Sequence, residues 1–508
     1  MIKFFLDQHG CAKNQVDGEL IITRLQNKGL CKTEIAAEAD IIIINSCGFI
    51  ESAKTESLNA LLEAKEAYPD AKILLAGCLA ERYAEQFAEA LPEADGIFGN
   101  GDLTAIDSLV EPLLSGGHPV VKPAQQGVCC GSRSELLSFP GSAFVKITEG
   151  CDNRCSFCAI PLIRGNLRSR DADDIVREID ELTRNGIFEI NLIGQDSAAY
   201  GMDGENPHDP AVWARFDGAS GTQSPLARLL EKISALNGSF WLRLLYIHPD
   251  HFPPDILPVI ARDERLLAYF DIPFQSGADS IIKAMNRTGS RVRYEDMVKN
   301  IRGTLDAVKD GGVSLRTTFL TGFPGETEDD AQETERFLEN ISPDWSGCFP
   351  YSKEDGTPAA SLKKQVSRKI AEKRAEALRC AQERITAERL KRHLNRTYDV
   401  LIEEIIEGGD GEGTGLAIGR AWFQAPEVDG AVVVRYDQDE TADQPETAGS
   451  ESPAESLKTG EPCPDAKQAG SAPHSGSGSR NAPVVPGRTV KVLVTGVSGF
   501  DLDGRIVP

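Results

Sequence analysis

Cys151, Cys155 and Cys158 stand in the run Gly150-Cys151-Asp152-Asn153-Arg154-Cys155-Ser156-Phe157-Cys158, a C-x3-C-x2-C spacing. Three thiolates on one short loop can hold three irons of a [4Fe–4S] cube and leave the fourth iron open to a substrate or cofactor. A site of that kind does chemistry rather than only carrying electrons. A structural zinc site would want a fourth Cys or His close by, and the next histidine is His208. Zinc and unliganded thiols are the alternative readings of the same residues.

Cys11, Cys47 and Cys78 form a second set, scattered along the first hundred residues. The elements around them explain why they could meet. Residues 1–115 alternate apolar runs, expected as strands at 2–6, 39–45 and 71–76, with amphipathic stretches, expected as helices at 18–27, 51–67 and 81–90. This βαβα rhythm implies a parallel sheet covered by helices. Each cysteine follows one of the three strands, and ligands of open α/β sheets bind beyond the carboxyl ends of strands. The three thiols could then converge on one rim and hold a second cluster with an open iron. Three ordinary buried cysteines are the alternative.

A second βα series follows. Strands are expected at 143–148, 189–193, 241–247, 269–273, 314–321 and 346–351, with helices at 172–184, 226–236, 280–286, 294–309 and 329–340. Six βα units give a parallel, partly closed barrel whose active site lies at the carboxyl ends of its strands. The C-x3-C-x2-C loop follows the first of these strands. Gln195 and Asp196 end the second, Arg243 lies within the third, Gln275 follows the fourth, and Gly322-Phe323-Pro324-Gly325-Glu326-Thr327 follows the fifth. The glycines of that run let backbone approach a ligand closely; a plain βα turn is the other reading. The alternative for Arg243 is a barrel salt bridge with Asp271 or Asp196, since buried charges are usually paired. The polar, Gly-rich stretch 201–222 reads as a surface loop near the active-site face.

The cysteine loop resembles the signature of the radical S-adenosylmethionine (SAM) enzymes. There the amino and carboxylate groups of SAM chelate the open iron, and one electron splits SAM into methionine and a 5′-deoxyadenosyl radical. By that resemblance Gln195, Asp196, Arg243, Gln275, Gly322 and Gly325 look like SAM contacts. Gly10-Cys11-Ala12-Lys13-Asn14 with Asp17 and Glu19, Asn45-Ser46-Cys47-Gly48-Phe49-Ile50-Glu51-Ser52-Ala53 and Gly77-Cys78-Leu79 look like the first domain of the methylthiotransferases. That resemblance implies a flavodoxin-like sheet carrying an auxiliary [4Fe–4S] cluster on Cys11, Cys47 and Cys78, whose open iron carries the transferred sulfur. The motifs around Cys47, Ala159-Ile160-Pro161-Leu162-Ile163-Arg164-Gly165 and Ala425–Gly430 are closer to the protein-modifying branch than to the tRNA-modifying one. They imply methylthiolation of the β-carbon of an aspartate in a small-subunit ribosomal protein. The radical takes the hydrogen, the second cluster gives sulfur, and a second SAM gives the methyl group. Modification of tRNA adenosine is the alternative within the class, and a two-cluster electron carrier the alternative outside it. The departures from the family pattern are Gln8-His9 before Gly10, Gly18, and a long acidic insertion.

That insertion lies in the tail. After a connecting helix expected over 366–394, β-type runs at 398–405, 431–436 and 490–494 suggest a small antiparallel β-barrel, which resembles the TRAM domain of the methylthiotransferases. Residues 437–487 carry nine acids and three bases and no aromatic residue, a composition that cannot bury enough apolar surface to order itself. The expected organisation is 1–125, 137–365, 366–394 and 395–508, α/β for the first two parts and all-β for the last. Glu427 and Asp429, with no base nearby in 421–430, argue against phosphate binding and for a basic partner, or else form a solvated face.

The net charge of −24 excludes a general nucleic-acid binder and suits a basic ribosomal protein, although it also serves solubility. The start is no signal peptide, and no apolar run approaches a membrane span. Twelve cysteines with cluster-type spacing imply a reducing cytoplasm, with an electron donor such as flavodoxin as a further partner. Cys31, Cys129, Cys130, Cys348, Cys380 and Cys463 have no matching partners at cluster spacing.

Overall fold

Four consecutive isoleucines, Ile41 to Ile44, suit a strand covered on both faces, because β-branched side chains pack well on each side of a pleat. A computed structural model of the chain describes residues 1–216, 221–411, 414–437 and 484–507. In it Ile41–Ser46 is fully buried at the centre of a parallel sheet. The strand order is Cys31–Lys32, Lys3–Gln8, Ile41–Ser46, Lys72–Gly77, Gly96–Phe98 and Val120–Val121. The chain turns back between the first two strands, so the crevice at the carboxyl ends of Lys3–Gln8 and Ile41–Ser46 is a topological switch point. Cys11 and Cys47 stand there.

The three two- or three-residue strands were not expected; runs that short carry no period. The first helix begins at Ala12, not at 18. Gly18 sits inside it because a Cβ there would come within 2.4 Å of Gln8 Oε1.

The second sheet runs Ser142–Lys146, Glu189–Ile193, Trp241–Leu244, Leu266–Asp271, Ser314–Thr321, Trp345–Pro350, all parallel and in sequence order. It is an open half-barrel, with a helix, Ile256–Arg262, that the sequence reading missed. Alternation along the strands separates two cores. Ala143, Val145, Ile190, Leu192 and Leu242 pack against the outer helices. Phe144, Ile193, Trp241, Tyr269 and Trp345 face the concave side and share a core with both smaller parts of the chain.

Thr397–Gly411, Thr414–Arg420, Val432–Asp437, Asp501–Ile506 and Thr489–Ser498 close a five-stranded barrel. Four of its pairings are antiparallel, but Val432–Asp437 lies parallel to Asp501–Ile506. A parallel neighbour needs a return of the chain, and Thr489–Ser498, antiparallel to Asp501–Ile506, makes it. Apart from Asp437 and residues 484–487, the acidic insertion expected at 437–487 lies outside the described residues.

The segment 421–430 lies in the concave face of the half-barrel. Arg243 donates to the carbonyl of Trp422 (2.8 Å), and Ser314 Oγ and Trp345 Nε1 both donate to that of Phe423 (2.9 Å). Asp429 accepts from Arg316 (2.7 Å) and from the Tyr269 hydroxyl (2.6 Å). Asp429 is therefore a buried fastener, and the expectation that it presents charge to a partner is corrected: a carboxylate inside a core must be paired. The stretch 201–222 is also more than a loop. It carries the helix Pro210–Ala214, and Val212 and Phe216 are buried with Leu167, Ala199 and Met202.

Candidate functional site

The loop from Gly150 to Cys158 leaves the carboxyl end of the first half-barrel strand in a coil that ordinary backbone resists. Gly150 has φ +77° and Arg154 φ +48°. A Cβ on Gly150 would lie 2.0 Å from the carbonyl oxygen of Asn166. Cys155 is buried, and Cys151 and Cys158 are partly exposed. Burial pushes the Cys158 thiol up to about 12 and the other two above their ordinary range. A thiolate here needs a cationic partner, so the donor set fits an iron cluster.

The surroundings hold the loop. Phe157 packs on a small core of Ala278, Ile281, Met285, Phe323 and Ala359. His248 Nδ1 accepts from the Asp250 amide (3.3 Å), which leaves Nε2 protonated and 3.7 Å from Cys155 Sγ. Asp196 accepts from Asn153 of the loop (2.9 Å), His251 (2.8 Å) and the amides of Ala198 (3.0 Å) and His248 (3.2 Å). Burial raises this carboxyl, but the hydrogen bond from His251 and the other neighbours outweigh it and bring it down to about 2. His251 is in turn stacked on Trp213, centroids 4.2 Å apart. A ligand hydrogen bond to Asp196 would have to displace one of four protein donors.

Gln195 is different. Its Nε2 donates to Glu149 (3.0 Å), while its buried Oε1, like Thr148 Oγ1 nearby, has no partner among the described residues. Orphaned buried polar atoms at a strand end are where a polar cofactor fits. Gln275 has φ +69° and its backbone bridges to the next strand. Gly322 and Gly325 have φ +74° and +91°. The close approach at Gly322 is made by Ala371 of the long helix Arg368–Leu390, 2.3 Å from a would-be Cβ, and not by open ligand space.

Cys11, Cys47 and Cys78 come together across their three βα units. Cys11 precedes the first helix, Cys47 follows Ile41–Ser46, and Cys78 opens the helix Cys78–Ala90. A Cβ on Gly10 would touch Cys47 Cβ at 3.0 Å, and one on Gly48 would lie 2.6 Å from the Cys78 carbonyl. Glycine at both places is what lets the three turns close up. Burial raises the Cys78 thiol to about 12, against the pull of Arg164, with Cys11 and Cys47 adding to the rise. Cys78 packs directly on Ala159 and Ile163, the residues just beyond Cys158. The two cysteine sets are thus neighbours.

Between them lies a buried ionic network that joins the first sheet to the half-barrel. Asp17 pairs with Lys146 and with Arg164 (2.7 Å). Glu149 pairs with Lys146 (3.2 Å), Arg164 (3.3 Å) and Lys13 (3.7 Å). A second clamp, Glu354 with Arg82 (2.8 Å) and Lys54 (3.0 Å), ties the turn at Gly48 to the end of the last half-barrel strand, since Arg82 also donates to the Gly48 carbonyl.

The chain matches three family models in order: the uncharacterized protein family UPF0004 over residues 3–99, the radical SAM superfamily over 145–338 and the TRAM domain over 396–450. It is 51% identical over 440 residues to the ribosomal protein uS12 methylthiotransferase RimO of Treponema denticola, covering 85% of this chain and 92% of that one. Relatives of the same name in a Thermotoga species and in Pelotomaculum thermopropionicum are each 36% identical over 84% and 85% of the chain. The chain belongs to the RimO family. It is an enzyme, a radical SAM methylthiotransferase, and iron–sulfur and SAM come with that class. None of its described helices is long and apolar enough to cross a membrane.

Within this RimO-family site one residue is not where the sequence put it. Arg243 does not reach the rim. It lies low on the concave face, fully buried, paired with Glu189 (2.9 Å) and stacked over the Tyr269 ring at 4.4 Å. The salt-bridge reading was right in kind, but the partner is neither Asp271 nor Asp196. Arg243→Ala is expected to cost about 1.5–3 kcal/mol of stability, the range for hydrogen bonds to charged groups, and to leave SAM affinity unchanged. Isothermal titration with SAM beside a thermal melt checks this; a large loss of affinity in a normally stable variant would restore the SAM contact. What the sequence reading missed altogether is Lys146, Glu149, His248 and His251. Lys146 had a signal: a charge inside an apolar strand has to be paired.

Proposed function

We propose that Cys151, Cys155 and Cys158 hold one [4Fe–4S] cluster with SAM on its open iron, that Cys11, Cys47 and Cys78 hold a second, and that the enzyme methylthiolates the β-carbon of an aspartate in a small-subunit ribosomal protein. The observation that carries the reading is the packing of Cys78 on Ala159 and Ile163, which makes the two thiol sets neighbours in one site. The bound groups would supply the one-electron chemistry that opens an unactivated C–H bond, together with the sulfur and methyl to be installed. The chain's own part is orientation and exclusion. Asp196 fixes Asn153 and hence the first loop. His248 and Arg287 face Cys155 with positive or donor character. Gln195 and Thr148 offer unpaired oxygens to the cofactor. Phe157 and Phe323 close the loop's rear against water.

The relatives' name supports the ribosomal protein uS12 as substrate, and the charge of −24 favours a basic partner. A low-potential one-electron donor such as flavodoxin would supply the electron. The test is an anaerobic assay of the reconstituted enzyme, with SAM and dithionite, on the ribosomal protein and on tRNA. One methylthio group on the protein is expected. Product on tRNA alone would move the chain to the tRNA-modifying branch. Affinity for the basic protein should weaken as salt shortens the Debye length from about 10 Å at 0.1 M; affinity indifferent to salt would remove charge from the recognition.

A further inference from the structure

Arg164 sits six residues beyond Cys158, on the turn that ends the helix Ile160–Ile163. Its side chain crosses into the first domain and ends at the other cysteine set. One terminal nitrogen donates to Cys78 Sγ at 3.0 Å. The other pairs with Asp17 (2.7 Å) and Glu149 (3.3 Å). The Asn100 amide nitrogen also donates to Cys78 Sγ (3.4 Å); turned over, the amide would instead accept from Arg164 Nε at 3.1 Å. Both terminal nitrogens of the fork are engaged and the residue is buried. Such a guanidinium is fixed in direction and always charged. Among the described residues no cation of the first domain itself touches one of its three thiols; Lys13 nearby is turned to Thr148 and Glu149.

We infer that Arg164 is a positioning residue for the second cluster: its N–H···S bond holds the Cys78 sulfur, and its charge raises that cluster's reduction potential. The inference rests on the reading that Cys11, Cys47 and Cys78 hold a cluster. Hydrogen bonds to the sulfurs and nearby charge are among the protein's levers on an iron–sulfur potential. Reduction adds one electron, here taken from a one-electron donor, and makes and breaks no bond. The more negative sulfur of the reduced form accepts a stronger hydrogen bond from a cation, so the bond favours reduction. Arg164 also places this lever on the loop that carries the first cluster. A shift of that loop would be felt at Cys78 through one side chain.

The experiment is a potentiometric titration of the full-length reconstituted enzyme, followed by electron paramagnetic resonance. The step that belongs to the second cluster is the one missing in Cys47→Ala. In Arg164→Met that step is expected to move to lower potential by about tenfold in the reduction equilibrium, about 59 mV for one electron. Removing Arg164 leaves Asp17 with Lys146, and Glu149 with Lys146 and Lys13, so a second variant, Arg164→Gln, which takes out the charge but keeps a polar side chain, should show the same direction of shift. Arg164→Lys keeps the charge and loses the fork, and its shift should be smaller. An unmoved second step in the first two variants, at full iron content, overturns the inference while leaving the second cluster standing. A wild-type enzyme with a single step that survives in Cys47→Ala overturns the two-cluster reading, and the inference with it.

Discussion

Cys155→Ala is expected to abolish SAM cleavage and to lose roughly half the iron, whereas Cys47→Ala should lose about the same iron yet still cleave SAM without inserting sulfur. The reconstituted enzyme should hold about eight irons, two cubes of four. The split follows from where the thiols stand. Cys155 lies on the half-barrel loop beside His248 and Arg287, at the strand ends where Gln195 and Thr148 present unpaired oxygens. Cys47 lies on the first sheet, fixed by the Ser57 hydroxyl, which accepts from its amide (3.0 Å). The two loops are held by different elements, so removing one thiol leaves the other set's backbone in place. Iron assay, deoxyadenosine formation and the mass of the substrate read the three consequences separately. Full iron and normal product from Cys47→Ala would refute the second cluster.

The parts of the fold that were legible are those with a period. The helices Glu51–Ala67 and Ala172–Arg184 and the strands Glu189–Ile193 and Ser314–Thr321 begin and end where the apolar pattern does. Helix starts failed where a cysteine or glycine stands inside the pattern, as at Cys78 and Gly18. That Cys11, Cys47 and Cys78 would meet was legible because placement after strands is a topological rule rather than a local preference. Arg243 was misplaced because the level of a residue along a strand decides which end of the half-barrel it serves. Trp241–Leu244 places it at the third residue, opposite Asn191 at the middle of Glu189–Ile193 and short of the rim. Spacing within one strand says nothing about the neighbouring segment 421–430, which arrives from about 180 residues away and supplies the Trp422 carbonyl.

The same geometry sets a large stability effect. Glu189 accepts from Arg243 (2.9 Å), from both terminal nitrogens of Arg420 (3.0 and 2.7 Å) and from Ser142 Oγ (2.8 Å), with no exposed surface of its own. Arg420 comes from the small β-barrel and also pairs with Glu403 (2.6 Å). Two guanidiniums and two carboxylates therefore balance inside the seam between half-barrel and β-barrel. Glu189→Ala leaves two buried cations facing one carboxylate and is expected to cost about 3–5 kcal/mol, the price of breaking a buried pair. At ~2–4 °C per kcal/mol for a domain of this size the melt should fall by on the order of 10 °C. Arg243→Met added to Glu189→Ala should recover part of the loss, because the second change removes one of the stranded charges and the two residues touch. The sign with pH follows from the carboxyl. Burial alone would raise it, but Arg420 and Arg243 hold it well below the usual range. A depressed carboxylate contributes stability that is fully present above its unfolded value of about 4.3 and is lost as pH falls toward the folded one. The wild type should thus lose stability on acidification below about pH 4 more steeply than Glu189→Ala, which has already lost it. Parallel acid-unfolding curves for the two proteins, or a melt unchanged by the substitution, would show that the seam is held by its apolar core and not by this network.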